Sequence, residues 1–487
     1  MSRWRDTLIK SLSSNLTEVS DITLEKSVTY KSIVQKSLEV GNQIGLPKQS
    51  IISVVLPNSV DYITTYLACT MYGFIFAPIP YSLSKVEVEK ILDLQSSEAL
   101  ITDRDDLKYR ENLKSIDFEI YQTEEISSNF NLPQIKEEDV LCLYFSSGTT
   151  GDSKGIMYSH GNKFELINSL VDTFGFTPET KHLAFLPFGH TAALNYSVFP
   201  CLFLGSKLFI CQNFDKIRSK FFYTLSNLQI NYAQMVPTIA QILLKLKEDT
   251  ANLNLDALKF LGCGSAPLST SIQAEFFKTF SIPLANLYGL SETGPTHFDN
   301  PEEPGWQPGS IGVPLEVNEC RIAEDGEIEI KGNNVMIGYY QSASQTSQVI
   351  QNGWFKTGDF GFIRDGKFYF SDRKKDIIIR GGINIFPSEV EDIIYLHPDV
   401  KECVVFGIPD ELQGESIVAN IATIHNKEIS TKQFINEINQ LCFKNLSSFK
   451  IPSIFFLSDS IPKTASGKLL RRKVRDEYLK QIDLSKD

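Results

Sequence analysis

The sequence contains no Cys-x-x-Cys pair: its eight cysteines (Cys69, Cys142, Cys201, Cys211, Cys263, Cys320, Cys403 and Cys442) stand singly, mostly among apolar neighbours. That pattern argues against a zinc ribbon, a dithiol redox motif or a disulfide frame, and suits reduced, buried thiols. A run of roughly 20 apolar residues, the length that spans a bilayer, is also missing. The opening segment MSRWRDTLIKSLSSN lacks the apolar core of a secretory signal. Its Trp4, Leu8, Ile9 and Leu12 fall instead on one face of a short helix expected to pack on the body. Positive charge is scarce: 47 Lys and Arg stand against 59 Asp and Glu, for a net −12. The one dense basic cluster is Arg471-Arg472-Lys473, near the C-terminal end. A nucleic-acid partner calls for a basic face and is disfavoured. Internal repeats and low-complexity linkers are absent too. These absences lead to the expectation of a soluble, cytoplasmic chain of roughly two to four structural units.

What is present is an alternation of strand-like and helix-like runs. SIISVVLPN, from Ser50, reads as an apolar strand and SVDYITTYLACTMYGF as a helix; FIFAPIP, VEVEKILDLQSS and ALITD continue as strand, helix and strand. Such repetition favours parallel sheets covered by helices, an α/β fold. The pattern recurs in the strands HLAFLPF, SKLFICQ, YAQMVP and LKFLGCG. From about Gly326 the texture turns antiparallel, with short strands and Gly or Asp-Gly turns in GEIEIKG, GWFKTGDFGFIRDGKFYFSDR and DIIIRGG. SEVEDIIYLHPDV, ECVVFGIPD, STKQFINEINQLCFKNL and SIFFLSDSIP then read as helix, strand, helix and strand, before a final basic helix. Charged residues interrupt two strands near Asp372 to Asp376, which divides the chain into 1–372, a joint at 373–376, and 377–487.

The densest chemistry lies in LYFSSGTTGDSKG, from Leu143 to Gly155. Four hydroxyls (Ser146, Ser147, Thr149, Thr150), two glycines (Gly148, Gly151) and Lys154 follow an apolar strand directly. Polyphosphate binding asks for that composition: glycines let backbone N–H groups approach, hydroxyls donate, and lysine brings movable positive charge. The spacing is not that of a P-loop, and alone such a loop is also an ordinary turn. Five further polar or glycine-rich segments sit between apolar strands: GCGSAP (262–267), NLYGLSETGP (286–295), GWFKTGDFG (353–361), SDRKKDIIIRGGIN (371–384) and IPKTASGK (461–468). In order and spacing the six together resemble the core motifs of the adenylate-forming, AMP-binding enzymes, closest to the acyl- and aryl-CoA ligases. The resemblance runs from about residue 28 to about residue 475.

The resemblance implies a large N-terminal domain of mixed sheets layered with helices plus a β-barrel-like subdomain. It also implies a small α+β C-terminal lid that rotates about a hinge at Lys375. The implied reaction joins a carboxylate to the α-phosphate of ATP, releases pyrophosphate, and passes the acyl group from AMP to a thiol. Ser146 to Lys154 would cradle the β- and γ-phosphates. Glu292, with Thr149 and the phosphates, would hold Mg²⁺, and Ser291 would reach the α-phosphate. Gly264, Ser265 and Ala266 would line the adenine, Tyr288 would stack on it, and Asn286 and Gly289 complete that motif. Asp359 would accept both ribose hydroxyls, with Arg373 as second ribose contact, and Lys468 would bridge the acyl carboxylate and the α-phosphate.

The acyl pocket is expected partly from LPFGHTAALNYSVFPCLFLG (186–205), with His190 as a gate. Ala192 stands where amino-acid-activating relatives carry a clamping aspartate, which disfavours an amino acid substrate. Aryl ligases often carry a lysine where this chain has Ile379, while Gly381 and Gly382 would leave the pantetheine tunnel of CoA open, as in fatty acyl ligases. The resulting expectation is an acyl-CoA ligase for an apolar fatty or aryl acid. The alternatives are an adenylation enzyme that loads the phosphopantetheine arm of a carrier protein, and a degenerate nucleotide sensor.

Overall fold

The computed structural model describes residues 1–107, 113–116, 131–146, 154–410, 412–424, 431–463 and 469–484. The run Ile51–Val55 is buried along its whole length, as a strand covered on both faces must be. It lies inside a seven-stranded sheet in the order Gly338–Tyr339, Lys154–Ser159, Val140–Ser146, Ile75–Pro78, Ile51–Val55, Ala99–Thr102 and Lys114–Ile116. The last five are parallel and the first two join antiparallel. The helix Val60–Tyr72 covers this sheet. Ser59 caps it by accepting from the Tyr62 N–H, and Gly73 ends it in the left-handed conformation.

A nine-stranded sheet follows the second set of apolar runs. Its parallel centre includes His182–Ala184, Tyr232–Met235, Leu261–Gly264 and Leu284–Leu290, and Gly294–Phe298 turns back antiparallel beside the last. The helix Arg3–Leu12 buries Trp4, Leu8 and Leu12 against the body, and the Trp4 indole N–H donates to the Tyr66 hydroxyl at 2.8 Å. Both sheets share one apolar core that runs from Trp4 to Phe368. The expected barrel-like part is a five-stranded antiparallel sheet of Asn318–Ile322, Glu327–Gly332, Ile350–Gln351, Trp354–Arg364 and Lys367–Arg373.

Beyond it a fourth sheet, again five-stranded, has its own packing. Alternate residues of Val400–Asp410 and Gly414–Thr423 face opposite sides, following the period of two. Cys403, Val405, Ile417 and Ala419 pack on Phe434 and Ile438, while Val404, Phe406 and Val418 pack beside Val474. Residues Lys374–Asp376 form one 3-10 turn between the third and fourth sheets. Contacts cross this turn. Ser388 N–H donates to the Asp372 carboxylate at 2.7 Å and its hydroxyl to Ser371 C=O at 2.6 Å. Arg471 reaches Asp372 at 3.4 Å, Asp376 at 3.2 Å and Glu391 at 2.8 Å. All eight cysteines are free thiols, seven of them buried. Among the described residues no helix is long and apolar enough to cross a membrane.

Candidate active site

Four of the six segments meet at the strand Leu284–Leu290. Its neighbour Leu261–Gly264 runs parallel and ends at Gly264, where a Cβ would lie 2.5 Å from the Leu287 carbonyl oxygen. Only glycine allows that approach. Ser265 follows at φ +66°, exposed, in the left-handed conformation that is uncommon for residues other than glycine. Ala266 is half-buried beside it. The ends of parallel strands are where such sheets place ligands.

On Leu284–Leu290, Asn286 is buried and its amide N–H donates to the Ser310 carbonyl at 2.8 Å. The register shifts between Tyr288 and Gly289, so the chain bends where the motif begins. The buried Tyr288 hydroxyl donates to Asp359 Oδ2 at 2.9 Å. Asp359 is 3% exposed, faces Arg373 across paired strands, and has the Arg373 Nε 3.5 Å from its Oδ1. Burial first, then the Asp359 charge, hold the Tyr288 phenol well above its ordinary pKa, so it stays a donor. Thus Tyr288, Asp359 and Arg373 form one cluster, with the first two buried and the arginine half-buried.

The second cluster lies four residues on, in the turn after the strand. Tyr158 donates through its hydroxyl to the Ser291 carbonyl at 2.6 Å. Glu292, half-buried, accepts on Oε1 from the Tyr339 hydroxyl at 3.0 Å. The Lys154 ammonium stands 4.7 Å from the centre of the same Tyr339 ring. Lys154 opens its strand opposite Ser146, which is described through its backbone only. Ser147, Gly148, Thr149, Thr150, Gly151 and Lys468 lie outside the described residues. Tyr339 carries no sign of its place in the sequence: it stands inside the plain run VMIGYY, and only the pairing of Gly338–Tyr339 with Lys154–Ser159 brings it here.

His190 precedes a short helix at Thr191–Ala193, and its buried Nε2 has no hydrogen-bond partner among the described residues. Burial lowers its pKa, so the ring is neutral. Ala192 is half-buried. This segment reaches the Glu292 turn, because a Cβ built on Gly294 would lie 3.4 Å from Asn195 Nδ2. Lys375 sits in the 3-10 turn, where desolvation and then the Arg373 charge lower its pKa. Gly381 and Gly382 are exposed at φ +59° and +77°. Among the described residues no group of three or more His, Cys, Asp or Glu could hold a metal ion. A single carboxylate such as Glu292 still fits Mg²⁺, whose shell is completed by phosphate oxygens and water.

Two family models match the chain, the AMP-binding enzyme over residues 14–340 and the AMP-binding enzyme C-terminal domain over 389–468. The chain belongs to the AMP-binding enzymes. Among curated members, the 2-succinylbenzoate–CoA ligase of Bacillus velezensis is 30% identical over 470 residues, which cover 93% of both chains. The long-chain-fatty-acid–CoA ligase of Bacillus subtilis is 29% identical over 525 residues, 93% of this chain and 90% of that one. Among solved structures, ATP-bound MatB from Rhodopseudomonas palustris superposes with a TM-score of 0.88 at 24% identity, over 98% of this chain and 99% of that one. O-succinylbenzoate coenzyme A synthetase from Bacillus subtilis, in complex with AMP, gives 0.85 at 26% identity, over 97% and 98%. The AMP-binding family identified from the six segments is therefore the family of the whole chain.

Proposed function

We infer that this AMP-binding enzyme is an ATP-dependent acid–thiol ligase that converts an apolar fatty or aryl carboxylic acid to its acyl-CoA. The observation that carries this is the pair of clusters on one strand and its turn: a carboxylate with an arginine at Tyr288, and a carboxylate with a lysine at Tyr339. The first suits a nucleoside and the second its phosphates. In this reading Gly264, Ser265 and Ala266 line the adenine with Tyr288, and Asp359 takes the ribose hydroxyls. A carboxylate offers about four acceptor sites, so the Tyr288 bond leaves room for both. Lys154 and the loop before it hold the β- and γ-phosphates. Ser291 faces the α-phosphate, and Glu292 with Thr149 holds Mg²⁺, which neutralises phosphate charge when bound.

The acid's carboxylate oxygen attacks the α-phosphorus, the bond to the β-phosphate breaks, and pyrophosphate leaves. Lys468 steadies the charge that develops between carboxylate and phosphate. The domain beyond 376 then turns about Lys375, bringing Gly381 and Gly382 toward the site, and the CoA thiolate displaces AMP from the acyl carbon. Residues 1–372 form the nucleotide and acyl domain in this scheme. The segment from Leu186 to Gly205 contains no charged residue, and His190 is neutral, which supports an apolar acid. The same reading has the enzyme work in the cytoplasm.

The test is pyrophosphate release from Mg²⁺-ATP with a panel of aliphatic, aryl and amino acids, each with and without CoA. An apolar acid that turns over to a thioester only with CoA is the expected result. Activation that halts near one equivalent of pyrophosphate despite CoA would instead point to a carrier-protein acceptor.

A further inference from the structure

The segment Met336–Tyr340 is tied to both sides of the second cluster. Met336 N–H donates to the Glu292 carbonyl at 2.8 Å, while Ile337 N–H and Tyr340 N–H donate to Met157 and Gly155 carbonyls at 2.9 and 2.7 Å. It thereby straps the Glu292 turn, which belongs to the nine-stranded sheet, onto the strand that Lys154 opens in the seven-stranded sheet. Tyr339 is 6% exposed, and its backbone is fixed by an N–H bond to Thr346 Oγ1 at 2.9 Å. Its hydroxyl donates to Glu292 Oε1, and its ring face meets the Lys154 ammonium. Among the described residues neither Lys154 nor Glu292 is in an ion pair, though both reach the same side chain.

We propose that Tyr339 is a positioning residue that holds the Glu292 carboxylate and the Lys154 ammonium apart, each oriented and neither neutralised by the other. The inference rests on the proposed nucleotide site. A lysine and a glutamate that reach the same side chain from two sheets would otherwise close into a salt bridge, and the lysine would be lost to phosphate and the carboxylate to Mg²⁺. A phenol avoids this with one group. The O–H satisfies one carboxylate oxygen and leaves its other edge for a cation. The ring's negative face attracts the ammonium without taking its proton or neutralising its charge.

Binding of ATP, measured by calorimetry in Mg²⁺ and separately in EDTA, tests this without relying on turnover. Tyr339→Phe keeps the ring and should bind ATP in EDTA within about twofold of wild type. Its gain from Mg²⁺ should shrink about 10-fold, the worth of one hydrogen bond to a charged group. Tyr339→Leu removes the ring as well, and ATP binding in EDTA should then weaken roughly fivefold as Lys154 falls onto Glu292. In the Glu292→Gln background that second loss should vanish, because Lys154 has no carboxylate to meet. The inference is overturned if Tyr339→Phe shows the wild-type Mg²⁺ gain, or if the Tyr339→Leu loss persists beside Glu292→Gln. Should Tyr339→Leu fail to fold, Lys154→Met reads the ring from the other side, and a Tyr339→Phe effect on Mg²⁺ that disappears with Lys154 also overturns it. Wild-type protein that binds no ATP in either condition would refute the nucleotide site itself rather than the role of Tyr339.

Discussion

The two ends of the candidate nucleotide site are built on opposite principles. At the Tyr288 end, opposite charges touch: Asp359 and Arg373 are partners across a strand pair, and the phenol donates to the same carboxylate. At the Tyr339 end the charges are separated by a ring. A ribose is neutral, so its site needs acceptors fixed in place, and a buried carboxylate held by a half-buried arginine and a phenol meets that need. A triphosphate with Mg²⁺ is strongly charged, and a site for it must keep its own charges uncompensated until the ligand arrives. The comparison predicts that mutations at the first end act on nucleoside recognition and those at the second on charge.

The largest effect is expected where the transition-state charge is met directly. Lys468→Ala should lower acid-dependent pyrophosphate release by roughly 10²–10³ while ATP binding stays close to wild type, the signature of a donor used only in the transition state. If ATP binding falls equally, Lys468 belongs with the ground-state phosphate contacts and the division between the ends weakens. Next comes Asp359→Asn. Loss of a charged acceptor should raise the KM for ATP about 10- to 100-fold, and the variant should no longer discriminate against 2′-deoxy-ATP. A variant impaired by the same factor with both nucleotides, and so retaining the wild-type preference, would show that Asp359 does not read the ribose. Tyr288→Phe leaves the ring and the carboxylate, so its change in KM should be smaller, about threefold to 10-fold, and independent of Mg²⁺ concentration. A strong Mg²⁺ dependence there would merge the two ends into one.

How much of this was legible in the sequence divides along the same line. Strands and helices followed their periods: Ile51–Val55, Val60–Tyr72 and Ile75–Pro78 lie where apolar spacing put them. Asp359 and Arg373 were findable because each sits in a distinctive string, although their meeting across a hairpin needs the register of two strands. Tyr339 was not findable. It belongs to a two-residue strand added at a sheet edge, and a tyrosine after an apolar run reads as core. Lys163 was missed for a related reason, since a lysine at the start of a helix reads as solvated. It is fully buried instead, with Nζ donating to Asn195 at 2.9 Å and facing the Tyr158 and Phe199 rings at 4.9 and 5.0 Å. Pattern reasoning reports which residues are chemical; tertiary pairing decides which are neighbours.

The smallest change in turnover is expected at this lysine, which packs on Tyr158, the residue whose hydroxyl holds Ser291. Its signature is in stability. Burial lowers the Lys163 pKa from 10.5 to about 8, so between pH 8 and 10.5 the unfolded chain binds the proton that the folded chain has released. Stability gained from this group therefore rises with pH across that window, and the cost of burying the charged form is fully present below it. The fall from 10.5 to about 8 corresponds to roughly 3 kcal/mol. Lys163→Met has no such group. Its stability relative to wild type, from urea unfolding at pH 7.5 and pH 10, should fall by an amount of that order as pH rises. Parallel curves for the two proteins would mean that Lys163 keeps its ordinary proton affinity in the core, and that the aromatic rings and Asn195 stabilise the ammonium as well as water does.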